Sequence, residues 1–271
     1  MLKRQPRLYV HDPGAPAVQV EGVSVRFNGL YALQDVSFTL ERGERAAVVG
    51  PNGAGKTTLF RVLAGVLPVQ AGRVRLYGGA PERHICVGYV PQRSQFDMTF
   101  PANVQDVVMM GRVGQLGLFR WPSRRDHEIV RECLDLVGMM PLAERQIGEL
   151  SGGQGQRVLI ARALAQEAEI MLMDEPLTGL DINSQEDILQ VLDALREREV
   201  TVLVATHDLN QAAQCFDRVL LLNRRLIGFG LPDTALTADT LREAYGDQLH
   251  VLETEGGAIM IGGGNCCRGG Y

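Results

Sequence analysis

The run RAAVVGPNGAGKTT, residues 45–58, leaves a chain few folds to choose from. A short apolar stretch ending in glycine marks a buried parallel strand, and the segment from about Gly55 to Leu67 reads as a helix. Between them, GPNGAGKT satisfies the pattern G-x-x-x-x-G-K-S/T in the context that pattern requires. Glycine lets the chain turn tightly and come close to a ligand, so the N–H groups of residues 53–58 can wrap the β- and γ-phosphates of a nucleotide. The helix N-terminus adds a favourable dipole. Lys56 supplies a point charge and Thr57 a hydroxyl for Mg2+. The nucleotide-binding set is Gly50, Pro51, Asn52, Gly53, Ala54, Gly55, Lys56, Thr57 and Thr58. A bare glycine turn before a helix is the plainer reading, and the full pattern outweighs it.

Such a loop needs a carboxylate at the end of a neighbouring strand to hold Mg2+. IMLMDE, residues 170–175, provides one: four apolar residues, then Asp174 and Glu175. Asp174 is expected to bind the metal through its water shell. Glu175 points to the other side of the strand end and can polarise an attacking water. Two acids facing solvent at a strand end are common, but beside this loop that reading gives way.

The remaining pattern is strand and helix in alternation. Residues 18–27 and 33–40 alternate with period two, as half-buried strands do, and further strand signals come at 73–77 and 85–92. From 103 to 148 the spacing turns helical, with GQLGLFRWP as a loop. Then follow helix 152–167, strand 170–174, helix 183–197, strand 200–207, helix 208–215 and strand 217–223. Alternating strands and helices imply a parallel sheet covered on both faces. The expected fold is an α/β, RecA-like P-loop core with an N-terminal antiparallel β subdomain and a helical subdomain inserted at about 96–150. The expected divisions are a flexible leader (1–17), the nucleotide-binding domain (18–245) and an extension (246–271) whose glycine-rich tail lacks fixed structure.

A second glycine-rich turn, LSGGQ, opens the helix at 152. Ser151 can cap it, and Gln154 sits three residues on, as in a capping box. That local reading does not explain the paired glycines Gly152 and Gly153, which leave backbone N–H groups open to an anion. The first loop already holds the phosphates of this subunit. The economical solution is that the second binds the γ-phosphate of a nucleotide held by another copy, two copies lying head to tail about a two-fold axis.

With LSGGQ, a P-loop and a following acid-tipped strand in hand, residues 18–245 resemble the nucleotide-binding subunits of ABC transporters. The resemblance implies roles residue by residue. Phe27 is similar to the aromatic that stacks on adenine, with Tyr31 as the alternative. Gln92 in YVPQ resembles the glutamine that senses Mg2+ and the membrane partner. Ser151, Gly152, Gly153 and Gln154 resemble the signature that acts in trans, and Asp181 in TGLD a residue that crosses the dimer interface. Glu175 resembles the general base and His207 in ATHD the histidine that contacts the γ-phosphate. Gly155 departs from the pattern, standing where a longer polar residue is expected; a glycine inside a helix costs about 1 kcal/mol relative to alanine.

Residues 89–126 resemble more closely the ATPases of importers for manganese, zinc or iron, through VPQRS, FP, V.DVV.MGR and G.LGLFR. RQIGELSGGQ and FDRVLLLNRRLIGFG extend the likeness. It implies a separate integral-membrane permease, an extracytoplasmic metal-binding protein as indirect partner, and a place on the cytoplasmic face of the membrane. Phe96, Met98, Phe100 and Met110 either line a groove for a permease helix or form subdomain core.

Composition sets bounds on the alternatives. Net charge is −5 in a chain of 271 residues, so nothing points to a nucleic-acid partner. No apolar run approaches the roughly 20 residues of a membrane span, and the N-terminus lacks the apolar core of a signal peptide. Five scattered cysteines suit reduced thiols better than a disulfide framework. His11, His84 and His250 have no partner at ligand spacing, and Cys266 and Cys267 fall in the tail, so the transported metal is not expected to bind this chain. A non-transport ABC ATPase and a P-loop kinase are the rivals. The first usually brings coiled coils or a second ATPase unit, and the second leaves LSGGQ unexplained.

Overall fold

The computed structural model describes residues 11–12, 14–81, 86–92, 100–116, 121–246, 249–253 and 259–263, the last two stretches by their backbone. The alternating N-terminal segments become β1 (Val18–Phe27) and β2 (Leu30–Leu40), paired antiparallel. β4 (Ala71–Leu76) pairs with the other side of β1. Val18, Val20, Val23 and Val25 are buried. The alternation skips a beat between Val20 and Val23, where the register shifts at Gly22 (φ +58). Asn28 and Gly29 both take positive φ, 50 and 81, in a two-residue hairpin turn whose twist matches the strands.

The main sheet runs β5–β6–β7–β3–β8–β9. Its members are β5 (Val87–Val90), β6 (Ile170–Asp174), β7 (Thr201–Ala205), β3 (Arg45–Val49), β8 (Arg218–Asn223) and β9 (Arg225–Gly230). All pairings are parallel except β8 with β9. β6 and β7 are buried at every position, as strands covered on both faces must be. Successive residues feed two cores. Ile170, Leu172, Leu203 and Ala205 pack with the antiparallel sheet and with α1 (Lys56–Leu63). Met171, Met173, Val202 and Val204 pack against the helical layer.

That layer contains α5 (Gly152–Ala165), α6 (Ile182–Glu197) and α7 (Leu209–Cys215). The inserted subdomain contributes α2 (Val104–Met109), α3 (Val113–Leu116) and α4 (Arg124–Leu136), and α2 and α4 share one core with α5. Gly111 lies so close to α5 that a Cβ there would come 2.2 Å from Arg162 O. Buried Arg112 beside it donates to Asp126 (2.9 Å), Ala165 O (2.8 Å) and Glu167 (2.9 Å), tying the subdomain to the end of α5.

Several expectations need correction. Residues of the leader are anchored: His11 stacks on Tyr77 with ring centroids 4.3 Å apart, and Asp12 N–H donates to Tyr77 O at 3.2 Å. Arg42 holds Asp12 O (2.5 Å) and Ala15 O (3.2 Å). Residues 114–116, expected in a loop, belong to α3. The first helix ends at Leu63 rather than 67, because Gly65 turns to φ +69 and its N–H donates to Val62 O. The tail is not structureless throughout: β11 (Ile259–Gly263) pairs antiparallel with β10 (Leu249–Glu253). β9, α8 (Pro232–Ala235) and α9 (Ala238–Tyr245) had no counterpart in the sequence reading. His84, Phe96, Met98, Cys266 and Cys267 lie outside the described residues.

Candidate functional site

The loop 50–55 leaves the C-terminal end of β3 and is held by backbone approaches that admit no side chain. A Cβ on Gly50 (φ +152) would sit 1.9 Å from Leu222 O, and one on Gly55 (φ +102) 2.4 Å from Ala32 O. Ala54 O accepts from Arg224 N–H (2.8 Å), and Arg224 O accepts from Gln34 N–H (2.7 Å). These contacts fasten the loop to both sheets. Gly55 is the N-cap of α1 and offers no side-chain cap, so the first N–H groups of α1 stay open to an anion. Lys56 Nζ bridges Gly50 O (2.6 Å) and Pro51 O (3.2 Å). Burial lowers its pKa, while Glu175 and Asp174 pull it back up.

The acid pair lies at the end of β6, which is not the immediate neighbour of β3, since β7 runs between them. The gap is crossed by α1: Thr57 Oγ1 donates to Asp174 Oδ2 at 2.9 Å. Tyr89 O–H donates to the same oxygen at 3.4 Å. Two oxygen donors meeting this closely suit a hard cation such as Mg2+. Glu175 follows the strand at φ +47, its N–H bonded to Ala205 O (2.9 Å), and its carboxylate takes partners other than those of Asp174. Thr178 Oγ1 donates to Glu175 Oε2 at 3.2 Å, and Gln92 Nε2 reaches the same oxygen at 3.5 Å. His207 Nδ1 stands 3.7 Å from Glu175 Oε1 and is 61% exposed. Lys56, Thr57, Gln92, Asp174, Glu175 and His207, drawn from positions 56 to 207 of the sequence, therefore converge at the C-terminal ends of the parallel strands.

Phe27 closes β1 at the hairpin tip, 49% exposed. Tyr31 is engaged instead: Arg26 lies over its ring, 3.9 Å to the centroid, and hydrogen-bonds its hydroxyl. Phe27 is the freer aromatic of the two.

At the second loop Ser151 and Gln154 form the expected capping box, Ser151 N–H to Gln154 Oε1 at 3.0 Å and Gln154 N–H to Ser151 Oγ at 3.3 Å. Gly152 opens the helix partly exposed, whereas Gly153 is buried. A Cβ on Gly153 would lie 2.4 Å from Ser184 Oγ. Gly155 does not unravel the first turn, since its N–H donates to Ser151 O at 2.9 Å. Asp181 caps α6, accepting from Ser184 N–H (2.9 Å) and Ser184 Oγ (2.8 Å), which hold its carboxyl below the usual range. Ser184 thus lies between α5 and the Asp181 cap of α6, and it is not among the sequence candidates. Neither are Tyr89 and Thr178. Tyr89 is findable as the strand residue three positions before Gln92, which lies just past the end of β5.

A sequence profile described as ABC transporter matches residues 33–178. The chain belongs to the ABC transporter family. It is 42% identical over 237 residues to the manganese transport system ATP-binding protein MntB of Bacillus subtilis, covering 87% of this chain and 95% of that one. To the zinc transport system ATP-binding protein TroB of Treponema pallidum it is 44% identical, covering 87% and 89%. To the chelated iron transport system membrane protein YfeB of Yersinia pestis it is 40% identical, covering 90% and 84%. Among solved structures, a metal-chelate type ABC transporter in an inward-facing conformation superposes with a TM-score of 0.77 at 29% identity, over 90% of this chain and 95% of that one. As a family member the chain is an ATP-binding subunit whose ATPase activity is coupled to transport, with a membrane permease as partner. No helix among the described residues is long and apolar enough to cross a membrane.

Proposed function

We propose that this chain is the ATP-hydrolysing subunit of an importer that takes up a divalent metal ion, manganese first and zinc next, through a separate permease. The observation that carries the chemistry is the placement of Glu175. Its carboxylate is oriented by Thr178 and Gln92 and lies beside Asp174 without sharing its partners. The names of the relatives carry the cargo. In this reading the open N–H groups at the start of α1 bind the β- and γ-phosphates, and Lys56 exchanges its loop carbonyls for phosphate oxygens. Phe27 stacks on the base. Thr57 and Asp174, with Gln92, hold Mg2+, which when bound offsets phosphate charge. Glu175 accepts the proton of the attacking water, and His207 contacts the γ-phosphate.

A second copy, head to tail, presents Ser151, Gly152, Gly153 and Gln154 to that phosphate, with Asp181 at the shared interface. ATP draws the copies together and phosphate release lets them part. The exposure of Phe100 (49%) and Met110 (37%) favours the permease-groove reading over subdomain core for these two side chains. The complex sits at the cytoplasmic membrane face, supplied by an extracytoplasmic metal-binding protein.

The test is cellular manganese, zinc and iron in cells lacking the chain, and in cells carrying Lys56→Ala or Glu175→Gln. One metal is expected to fall selectively in all three. The purified Glu175→Gln complex is expected to bind ATP and turn over about 10²–10⁴-fold more slowly, the range for loss of a general base. Unchanged metals would sink the import assignment and leave the ATPase intact. Wild-type turnover in Glu175→Gln would sink the base assignment.

A further inference from the structure

Asp174 Oδ2 accepts from two hydroxyls at once. Thr57 Oγ1 lies 2.9 Å away and comes from α1; Tyr89 O–H lies 3.4 Å away and comes from β5. Asp174 itself is buried, with 6% of its surface exposed. An ionised carboxylate so enclosed keeps a single orientation only while its oxygens are hydrogen-bonded. The two donors are not equivalent. Thr57 carries an aliphatic hydroxyl in the phosphate-binding helix, and its oxygen is itself one of the metal ligands in the proposed function. That hydroxyl can turn a lone pair to a cation and still donate to Asp174, but its position is then shared between the metal and the carboxylate. The Tyr89 hydroxyl stands on a strand paired in register with β6, Tyr89 opposite Leu172, and has no such second duty.

We infer that Tyr89 is a positioning residue for the nucleotide-bound divalent cation: it holds the Asp174 carboxylate in its ligating orientation from the strand side. The inference rests on the assignment of Asp174 and Thr57 to Mg2+ made above. Partners of this outer kind orient metal ligands, and their loss typically costs about 10–100-fold in metal affinity. β5 then serves both acids. Tyr89 steadies Asp174 from within the strand, and Gln92, just past its end, reaches Glu175.

The experiment is equilibrium binding of a fluorescent ATP analogue to the purified full chain, with and without Mg2+ across a magnesium titration. Wild type is compared with Tyr89→Phe and Asp174→Asn. Phenylalanine keeps the ring and removes only the hydroxyl, and affinity without Mg2+ reports that the fold and the loop are intact. For Tyr89→Phe the expected result is an unchanged Mg2+-free affinity and a roughly 10-fold higher magnesium concentration at half-effect, the lower end for an outer-partner loss. Asp174→Asn is expected to abolish most of the magnesium effect. If Asp174→Asn abolishes it and Tyr89→Phe matches wild type, the hydroxyl only fills space; Tyr89 loses its role and the metal assignment stands. If Asp174→Asn leaves the magnesium effect whole, the metal assignment fails and the inference falls with it. If Tyr89→Phe weakens binding equally with and without Mg2+, its role is structural and the inference is overturned.

Discussion

The two glycine-rich turns use the same residue for different physical reasons. In the first, Gly50, Gly53 and Gly55 all take positive φ, at 152, 78 and 102, and two of them touch another backbone. Glycine is required there by the path of the chain. In the second, Gly152, Gly153 and Gly155 sit in ordinary helix behind a serine cap, and what excludes a side chain at Gly153 is the side chain of Ser184. Glycine is required there by a neighbour. The first turn also leaves its helix N-terminus uncapped, whereas the second satisfies part of its own with Ser151. A loop that grips a ligand by backbone must be shaped by backbone. A helix end offered across an interface, the role proposed for the second turn, needs a smooth, well-capped surface instead.

The comparison can be broken by substitution, and the largest effect belongs to the first turn. Gly50→Ala combines a strained φ with a clash against Leu222 O, a backbone atom of a buried strand. It is expected to lose about 2–6 kcal/mol in urea unfolding, the sum of backbone strain and overpacking, and no second substitution relieves it. Gly153→Ala meets Ser184 Oγ at 2.4 Å and Ser184 Cβ at 2.5 Å, but no backbone atom nearer than Ser184 Cα at 3.5 Å. It is expected to cost about 1–3 kcal/mol. Ser184→Gly removes both obstructing atoms, so the double variant should recover about 1 kcal/mol or more of the summed single losses in a double-mutant cycle. Absence of that recovery would mean that Gly153 is constrained by its helix, and the contrast between the turns would close.

Most of this arrangement was legible from short patterns. The P-loop, the acid-tipped strand and the strand–helix alternation are set by local periodicity and turn chemistry, and they place eight strands, five of them in the main sheet, and the order of the main helices. Four things were less accessible. Asn28-Gly29 is a plain hairpin signal, yet β2 was expected to begin at 33 rather than 30, because Tyr31 and Ala32 carry little alternation. That β7 separates β3 from β6 depends on long-range pairing, on which sequence spacing is silent. The Tyr89, Thr178 and Ser184 contacts arise where separate elements meet, and a hydroxyl on a strand or helix carries no sign of the acid it will face. The prolines and glycine of the leader read as loose chain. The described residues at its end are ordered by tertiary contacts of His11 and Asp12 with Tyr77 and Arg42.

The smallest effect on stability divides the two roles of Ser151. As a cap it accepts from Gln154 N–H, and alanine there should cost about 1 kcal/mol. That loss alone does not distinguish a cap from a phosphate-facing group, since both end with a weaker site. Aspartate does. It caps a helix as well as serine, and its charge favours a helix N-terminus, so Ser151→Asp should unfold within about 0.5 kcal/mol of wild type. In the proposed head-to-tail pair, however, its carboxylate would face the γ-phosphate bound by the partner. Like charges brought together in a closed interface repel strongly. ATP-driven dimerisation, measured by light scattering with the Glu175→Gln background holding ATP uncleaved, should therefore be lost while stability and ATP binding to the single chain are kept. If Ser151→Asp still dimerises with ATP, Ser151 acts only as a cap and the second turn does not meet a phosphate in trans.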